Sequence, residues 1–223
     1  MSVFKLPLTF CDDLTGIFRD FWRGSENGKR KTARIAWKEM TLKKSHGGLG
    51  FKDMRLFNQA MLTRQAWRLI ENPDSLCARV LKARYFPRGS LLDSVGSANS
   101  SATWQAILHG LDLLKKGLIW RIGSGTQVRI WRDSWIPRGI SLKVLSRRGR
   151  CRLHWVSELL NTREDDWGRD KLVQYFFNQA DREAILKIKL SAHRTEDFVA
   201  WHGEKSGVFT VRSAYNLALA LNN

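Results

Sequence analysis

The stretch that decides the fold covers residues 43–70 and reads KKSHGGLGFKDMRLFNQAMLTRQAWRLI. A glycine-rich turn at residues 47–50 leads directly into a segment with helical periodicity. Glycine can take positive φ and lets a neighbouring chain approach closely. We therefore predict a turn followed by a helix over residues 53–71, which Asn72-Pro73 ends. Its apolar stripe contains Leu56, Phe57, Ala60, Met61, Trp67 and Ile70, and the arginines outside that stripe are Arg55, Arg64 and Arg68.

The composition indicates a folded and strongly basic chain. Of the 223 residues, 43% are hydrophobic and 11% aromatic, which is enough for one domain or two small ones. Lys and Arg number 38 against 21 Asp and Glu, and the formal net charge of +17 is spread over the whole length. This balance favours a polyanionic partner, with nucleic acid as the leading candidate. The alternative is that the charge serves solubility alone.

Cysteine usage and hydropathy limit the compartment. Cys11, Cys77 and Cys151 are widely separated, which fits reduced thiols and an intracellular location, with the nucleus as one candidate compartment. The chain has no apolar run of about 18 residues, so we expect no contact with a membrane. The N-terminus also lacks the pattern of a secretory signal.

Helical periodicity extends through the first half of the chain. Besides the helix over 53–71, we predict helices over residues 9–23, 74–86 and 103–116. Asp74 or Ser75 would cap the second of these three, and Thr103 the third. The first would carry Asp12 and Asp13 in its opening turn. Its apolar face would consist of Leu14, Ile17, Phe18, Phe21 and Trp22.

After residue 117 the pattern changes. Residues 118–122 and 127–131 are short runs of β-branched and aromatic residues around Gly123-Ser-Gly-Thr126, which predicts a β-hairpin. Residues 197–202 and 207–210 predict a second hairpin. Short helices are expected over 156–160, 170–177 and 181–187, and a last helix over 211–221. The predicted fold class is therefore α+β, mainly α.

Several patterns resemble catalytic or ligand-binding motifs, but each has a simpler interpretation. Phe10-Cys-Asp-Asp13 has the form of the paired-aspartate metal motif of reverse transcriptases. A helical period follows it, so we interpret the two carboxylates as a helix cap. Cys151 and His154 lack the second pair of ligands that a tetrahedral zinc site needs. The turn at 47–50 lacks the Lys-Ser/Thr ending of a phosphate loop. We predict no catalytic residue, metal or cofactor.

The ten tryptophans are candidates for stacking on bases or for core packing. Trp22, Trp67 and Trp104 lie on apolar helix faces, where core packing is expected. Trp120 and Trp131, which neighbour Arg121 and Arg129, are the candidate stacking residues.

Taken in order, many short blocks resemble the reverse transcriptase polyproteins of plant LINE-type (non-LTR) retrotransposons. The blocks are FWRG at 21–24, Trp37, KSHGGLGFKD at 44–53, FNQA at 57–60, QAWRL at 65–69, LKARYFP at 81–87, GLIW at 117–120 with Gly123 and Gly125, IWRDSW at 130–135 and FTVRSAY at 209–215. The resemblance covers nearly the whole chain.

The resemblance implies a region that follows the polymerase palm and precedes a zinc-binding segment and an RNase H segment. Residues 1–117 would be a thumb-like helical module. Residues 118–223 would be a connector leading toward a zinc-binding segment that lies outside the chain. No catalytic residue is carried over, so the chain by itself is not expected to be an enzyme.

The implied function is sequence-independent binding of an RNA–DNA hybrid or RNA, with the palm domain of a full-length polyprotein as a further partner. The phosphate contacts would be Arg64, Arg68, Arg79, Lys82 and Arg84. The alternative is an inactive structural remnant of a retrotransposon reading frame, with apolar surface that once packed on the palm.

Overall fold

The computed structural model describes residues 2–26, 29–30, 35–42, 44–97, 99–139, 141–161, 166–174, 177–190 and 195–222. The chain divides into two compact units, Met1–Lys115 with Thr210–Asn223, and Lys116–Phe209. The sequence-based division at residue 117 assigned residues 210–223 to the second region. In the structure these residues belong to the first compact unit. The predicted class, α+β and mainly α, is confirmed.

Helices dominate the described chain. They are α1 (Leu8–Arg23), α2 (Trp37–Thr41), α3 (Met54–Glu71), α4 (Leu76–Tyr85), α5 (Ala102–Gly117), α6 (Arg169–Gln174), α7 (Gln179–Leu186) and α8 (Val211–Asn222). Single 3-10 turns cover Lys44–His46, Leu91–Asp93 and Val156–Leu159. None of the helices in the described residues combines the length and the apolar composition that a membrane span requires.

The strands are short and form antiparallel pairs. They are β1 (Ser25–Glu26), β2 (Lys29–Arg30), β3 (Leu118–Arg121), β4 (Leu160–Asn161), β5 (Asp166–Trp167) and β6 (Phe198–Trp201). β1 pairs with β2, β4 with β5, and β3 with β6.

Helix α3 forms the centre of the first unit, and its predicted limits are confirmed. The Asp53 carboxylate caps it by accepting hydrogen bonds from the amides of Arg55 and Leu56. The preceding turn needs its glycines. Gly47 and Gly50 have φ of 80° and 75°. A Cβ atom on Gly48 would lie 2.1 Å from the carbonyl oxygen of Leu42.

Polar side chains of α3 fix its neighbours in the first unit. Asn58 is buried; its Oδ1 accepts from the Leu6 amide at 3.0 Å, and its Nδ2 donates to the Phe4 carbonyl at 3.1 Å. The Thr63 hydroxyl donates to the Gly110 carbonyl at 3.1 Å, where α5 passes α3. At the start of α3, the Asp53 amide donates to the Tyr215 hydroxyl of α8 at 2.8 Å. The motifs at 44–53, 57–60 and 209–215 therefore contain residues that hold this unit together.

The second unit has an apolar core of its own. Trp135, Ile130 and Val156 are almost fully buried there, together with residues of α6 and α7. β3 runs antiparallel to β6, with Leu118 opposite Trp201 and Arg121 opposite Phe198.

The two predicted hairpins are wrong in their pairing, although both first strands are present. Each predicted hairpin contributes one strand, and these two strands pair with each other. At the first predicted hairpin, a buried carboxylate explains the difference. Asp197 Oδ1 accepts from the amides of Gly123 and Gly125, both at 2.8 Å, and Oδ2 accepts from Gln127 at 2.9 Å. The loop therefore wraps a side chain from beside β6 and does not close a tight turn.

Two predicted helix caps and one predicted core residue are also corrected. α1 begins at Leu8 after Pro7, so Asp12 and Asp13 lie beyond its first turn and do not cap it. At α5 the Ser101 hydroxyl accepts from the Trp104 amide at 3.2 Å, which places the cap before Thr103. Trp67 and Trp104 are buried as predicted, but Trp22 is 55% exposed and makes a T-shaped contact with the Phe51 ring.

Candidate nucleic-acid interface

The basic residues predicted on α3 and α4 are all exposed. Arg64 and Arg68 are four residues apart and therefore lie on one side of α3. Arg79 and Lys82 are likewise neighbours on α4, where only Ala78 is buried. Within the described part of the chain these four side chains make no ion pair. Their charges are available to an external anion.

Two other arginines of this region are already engaged. The Arg84 guanidinium lies 5.6 Å from the centre of the Tyr85 ring, so its position is partly fixed by a cation–π contact. Arg55 forms a salt bridge with Asp12 of α1. The hydrogen bond between the Arg55 guanidinium and the Asp12 carboxylate raises the pKa of Arg55 above its usual range. Arg55 therefore ties α1 to α3, and the carboxylate of Asp12 compensates its charge.

The salt bridge with Arg55 gives Asp12 a structural role. Asp12 and Asp13 follow each other on a helix, whereas the paired-aspartate motif requires a strand and a tight turn. In the described residues, no group of three or more His, Cys, Asp or Glu side chains could hold a metal ion.

Cys151 is buried, and the ring of exposed His154 lies against the Arg148 guanidinium at 3.2 Å. That cation opposes metal binding at His154.

The glycine turn before α3 does not offer a phosphate cradle. Its amides already donate to backbone carbonyls: Leu49 and Phe51 to Met40, and Gly50 to Leu42. The loop at 123–127 does form an anion cradle, but the Asp197 carboxylate fills it. Both glycine-rich motifs therefore have a structural explanation.

Three of the four candidates beyond residue 117 are partly or largely packed. Trp120 is half-buried against the core of the second unit, and Arg121 is half-buried at the end of β3. The Trp131 ring stacks on Phe177 with centroids 5.2 Å apart, and its Nε1 donates to the Leu153 carbonyl at 3.1 Å. Trp131 thus packs against the core with its polar atom satisfied.

Arg129 is exposed, and the structure brings it to an aromatic residue that sequence reasoning missed. Its guanidinium lies 5.4 Å from the ring centre of Trp155, which is 38% exposed. Arg129 and Trp155 also form an isolated β-bridge. The available signal was the position of Trp155 just after the basic run at residues 147–152.

Two plant proteins are similar to this chain. A 137-residue segment, 61% of the chain, is 40% identical to the "Uncharacterized mitochondrial protein AtMg00310" of Arabidopsis thaliana and covers 89% of it. The alignment with the "Putative ribonuclease H protein At1g65750" of the same plant runs over 224 positions and covers 97% of the chain, with 30% identity. The chain spans only 36% of that second relative.

No protein-family model and no solved structure matches the chain. The two relatives are consistent with a retroelement-derived sequence. Because the alignment covers most of the shorter relative at 40% identity, the chain belongs to the family of that uncharacterized Arabidopsis mitochondrial protein.

Proposed function

We propose that the chain is a non-catalytic, nucleic-acid-binding part of a plant LINE-type reverse transcriptase, corresponding to the thumb and connector after the palm. The observation that carries this proposal is that the exposed side chains of Arg64, Arg68, Arg79 and Lys82 on α3 and α4 make no ion pair within the described residues. The relative with ribonuclease H in its name, nearly three times as long as the aligned region, is consistent with a chain that is one part of a larger polypeptide.

The geometry suits contacts with phosphates. Arg64 and Arg68 repeat once per helical turn, and Arg79 and Lys82 do the same on α4, so each helix offers a short row of cations. Rows of this kind neutralise successive phosphates and release counterions, which gives affinity without reading the base sequence. The proposed ligand is an RNA–DNA hybrid or RNA.

Replacing Arg64, Arg68, Arg79 and Lys82 together with glutamine is expected to weaken binding to an RNA–DNA hybrid. Each lost phosphate contact removes about 0.9 from the slope of log affinity against log salt, so the slope should fall by about 3–4. Fluorescence anisotropy titrations at several salt concentrations measure both quantities. Glutamine keeps the helical propensity close to that of the parent residues.

The matched control removes four charges elsewhere, by replacing the exposed Lys38, Lys44, Lys115 and Lys116 with glutamine. It should keep most of the affinity and of the salt slope. Equal losses in the two variants would contradict a defined interface and favour a general effect of net charge. Primer extension by the chain with Mg²⁺ on the same hybrid would contradict its non-catalytic role.

A second proposal concerns the partner domain. It starts from exposed apolar surface, the feature that the alternative of an inactive remnant also predicts. α1 buries only Cys11, and its Phe10, Ile17 and Phe21 are 46%, 62% and 87% exposed. Together with half-buried Leu14, these residues recur every three or four positions and form one apolar stripe. A continuous stripe of this kind typically marks a surface that another protein covers. We propose the palm domain of a longer polypeptide as that cover.

Replacing Ile17 and Phe21 with glutamine should reduce binding of a hydrophobic dye and reduce self-association. The thermal unfolding temperature should stay nearly unchanged, because both side chains are mostly exposed. Dye fluorescence and analytical ultracentrifugation provide the readouts. The control replaces Ile35 and Val95, which are exposed apolar residues outside the stripe. If the control lowered dye binding equally, the stripe would have no special role.

A further inference from the structure

The second unit contains six tryptophans, all within the described residues, and Trp155 alone is exposed. Trp135, Trp167 and Trp201 are buried, and Trp120 and Trp131 pack on the core. The exposure of Trp155 is not a consequence of local disorder, because the backbone on each side of it is held by hydrogen bonds.

Four hydrogen bonds fix this backbone. The amides of His154 and Trp155 both donate to Glu158 Oε2 at 2.7 Å. The Ile130 amide donates to the His154 carbonyl, and the Val156 amide to the Val128 carbonyl, both at 2.9 Å. The ring therefore projects from a rigid support. Preorganisation of this kind lowers the entropy cost of binding a flat ligand.

The surroundings of the ring are cationic. The Arg129 guanidinium contacts the ring, while the Arg129 backbone amide donates to Asp133. Exposed arginines stand at four positions just before Trp155 in the chain, namely Arg147, Arg148, Arg150 and Arg152. The Glu158 carboxylate accepts from two amides, so its charge is partly compensated. No acidic residue occurs between residues 141 and 157.

We propose that Trp155 and Arg129 form a stacking site for an unpaired base of a single-stranded nucleic acid, whose phosphates contact the arginines of residues 147–152. An aromatic ring and a guanidinium plane both stack on exposed bases, and paired bases inside a duplex are not accessible to them. This inference rests on the proposed function, because it assigns a single-stranded ligand to a chain proposed to bind nucleic acid. It adds a site that is distinct from the basic rows on α3 and α4.

The test measures the affinity of the full chain for two probes, a short oligothymidylate and an RNA–DNA hybrid of the same length. Trp155→Ala should weaken oligothymidylate binding by about tenfold or more, the effect typical of losing one base–aromatic stack. Its affinity for the hybrid and its salt slope should stay unchanged. Trp155→Phe should restore most of the lost affinity, which a purely structural defect would not predict.

The control Leu145→Ala removes another exposed apolar side chain of the same unit and should leave both affinities unchanged. If the parent chain binds both probes and Trp155→Ala binds oligothymidylate as tightly as the parent, the stacking site is overturned while the proposed function stands. Equal losses for the two probes also overturn it. If the parent chain binds neither probe at low salt, both proposals are overturned.

Discussion

Replacing Asp197 with alanine is expected to lower the free energy of unfolding of the second unit by about 3–5 kcal/mol, because buried backbone donors lose their acceptor. The side chain is 6% exposed and accepts three amide hydrogen bonds, from Gly123, Gly125 and Gln127. Alanine supplies no acceptor. The loop cannot simply collapse, because a Cβ-sized group at Gly123 would already lie 1.9 Å from the Thr195 carbonyl oxygen.

Hydrogen exchange is the appropriate measurement, since it reports on each unit separately. Peptides covering residues 118–130 and 195–201 should exchange faster in Asp197→Ala, while those from α3 should not change. Glu196→Ala is a matched control, because it removes the same charge from the adjacent, exposed residue. Unchanged protection of the 123–127 loop would show that the carboxylate is not what holds β3 against β6.

The failure of the first hairpin prediction follows from this same contact. The composition of residues 118–121 and 198–201 identified two strands correctly, since local β-propensity depends on residue type. Their pairing depends on a carboxylate more than 70 residues away from the loop it occupies. Local turn signals around Gly123 and Gly125 favour a hairpin, and nothing in the local pattern indicates that the amides already have a distant acceptor.

Helix α3 was predictable because its determinants are local. The Asp53 cap, the apolar period and the Asn72-Pro73 ending all lie within the helix or next to it. The partners of α3 were not predictable in this way. Asn58 holds the segment at Phe4 and Leu6, and Tyr215 accepts from Asp53 across 162 positions of sequence. Such contacts are visible only once the fold brings the segments together.

In the candidate site, too, some features could be predicted from the sequence and others could not. Charge and helical spacing placed Arg64, Arg68, Arg79 and Lys82 on the surface. Aromatic residues were harder to assign, because a tryptophan beside an arginine looks the same in sequence whether its ring is buried or exposed. Trp131 lies on Phe177 and Trp155 faces solvent, a difference that tertiary packing alone determines. α1 likewise showed an apolar face in its sequence, but the sequence could not show that the face is uncovered.

The second large effect is expected at Gly110, where α5 meets α3. A Cβ atom there would lie 2.3 Å from the Leu62 carbonyl carbon and 2.5 Å from the Thr63 amide nitrogen. Both are backbone atoms, so relief requires the two helices to separate. Overpacking of this kind typically costs about 1–3 kcal/mol, which exceeds the gain in helix propensity that alanine brings. Gly110→Ala should therefore destabilise the first unit.

Gly16 on α1 provides the matched comparison, because a Cβ atom there would meet nothing within 4 Å. Gly16→Ala should stabilise the first unit by about 0.5–1 kcal/mol through helix propensity alone. The same chemical change is thus expected to have opposite signs on two helices of one unit. Urea unfolding followed by circular dichroism measures both. If both variants were stabilised, the close approach of α5 to α3 at Gly110 would be wrong, because only a wider spacing could accept the added methyl group.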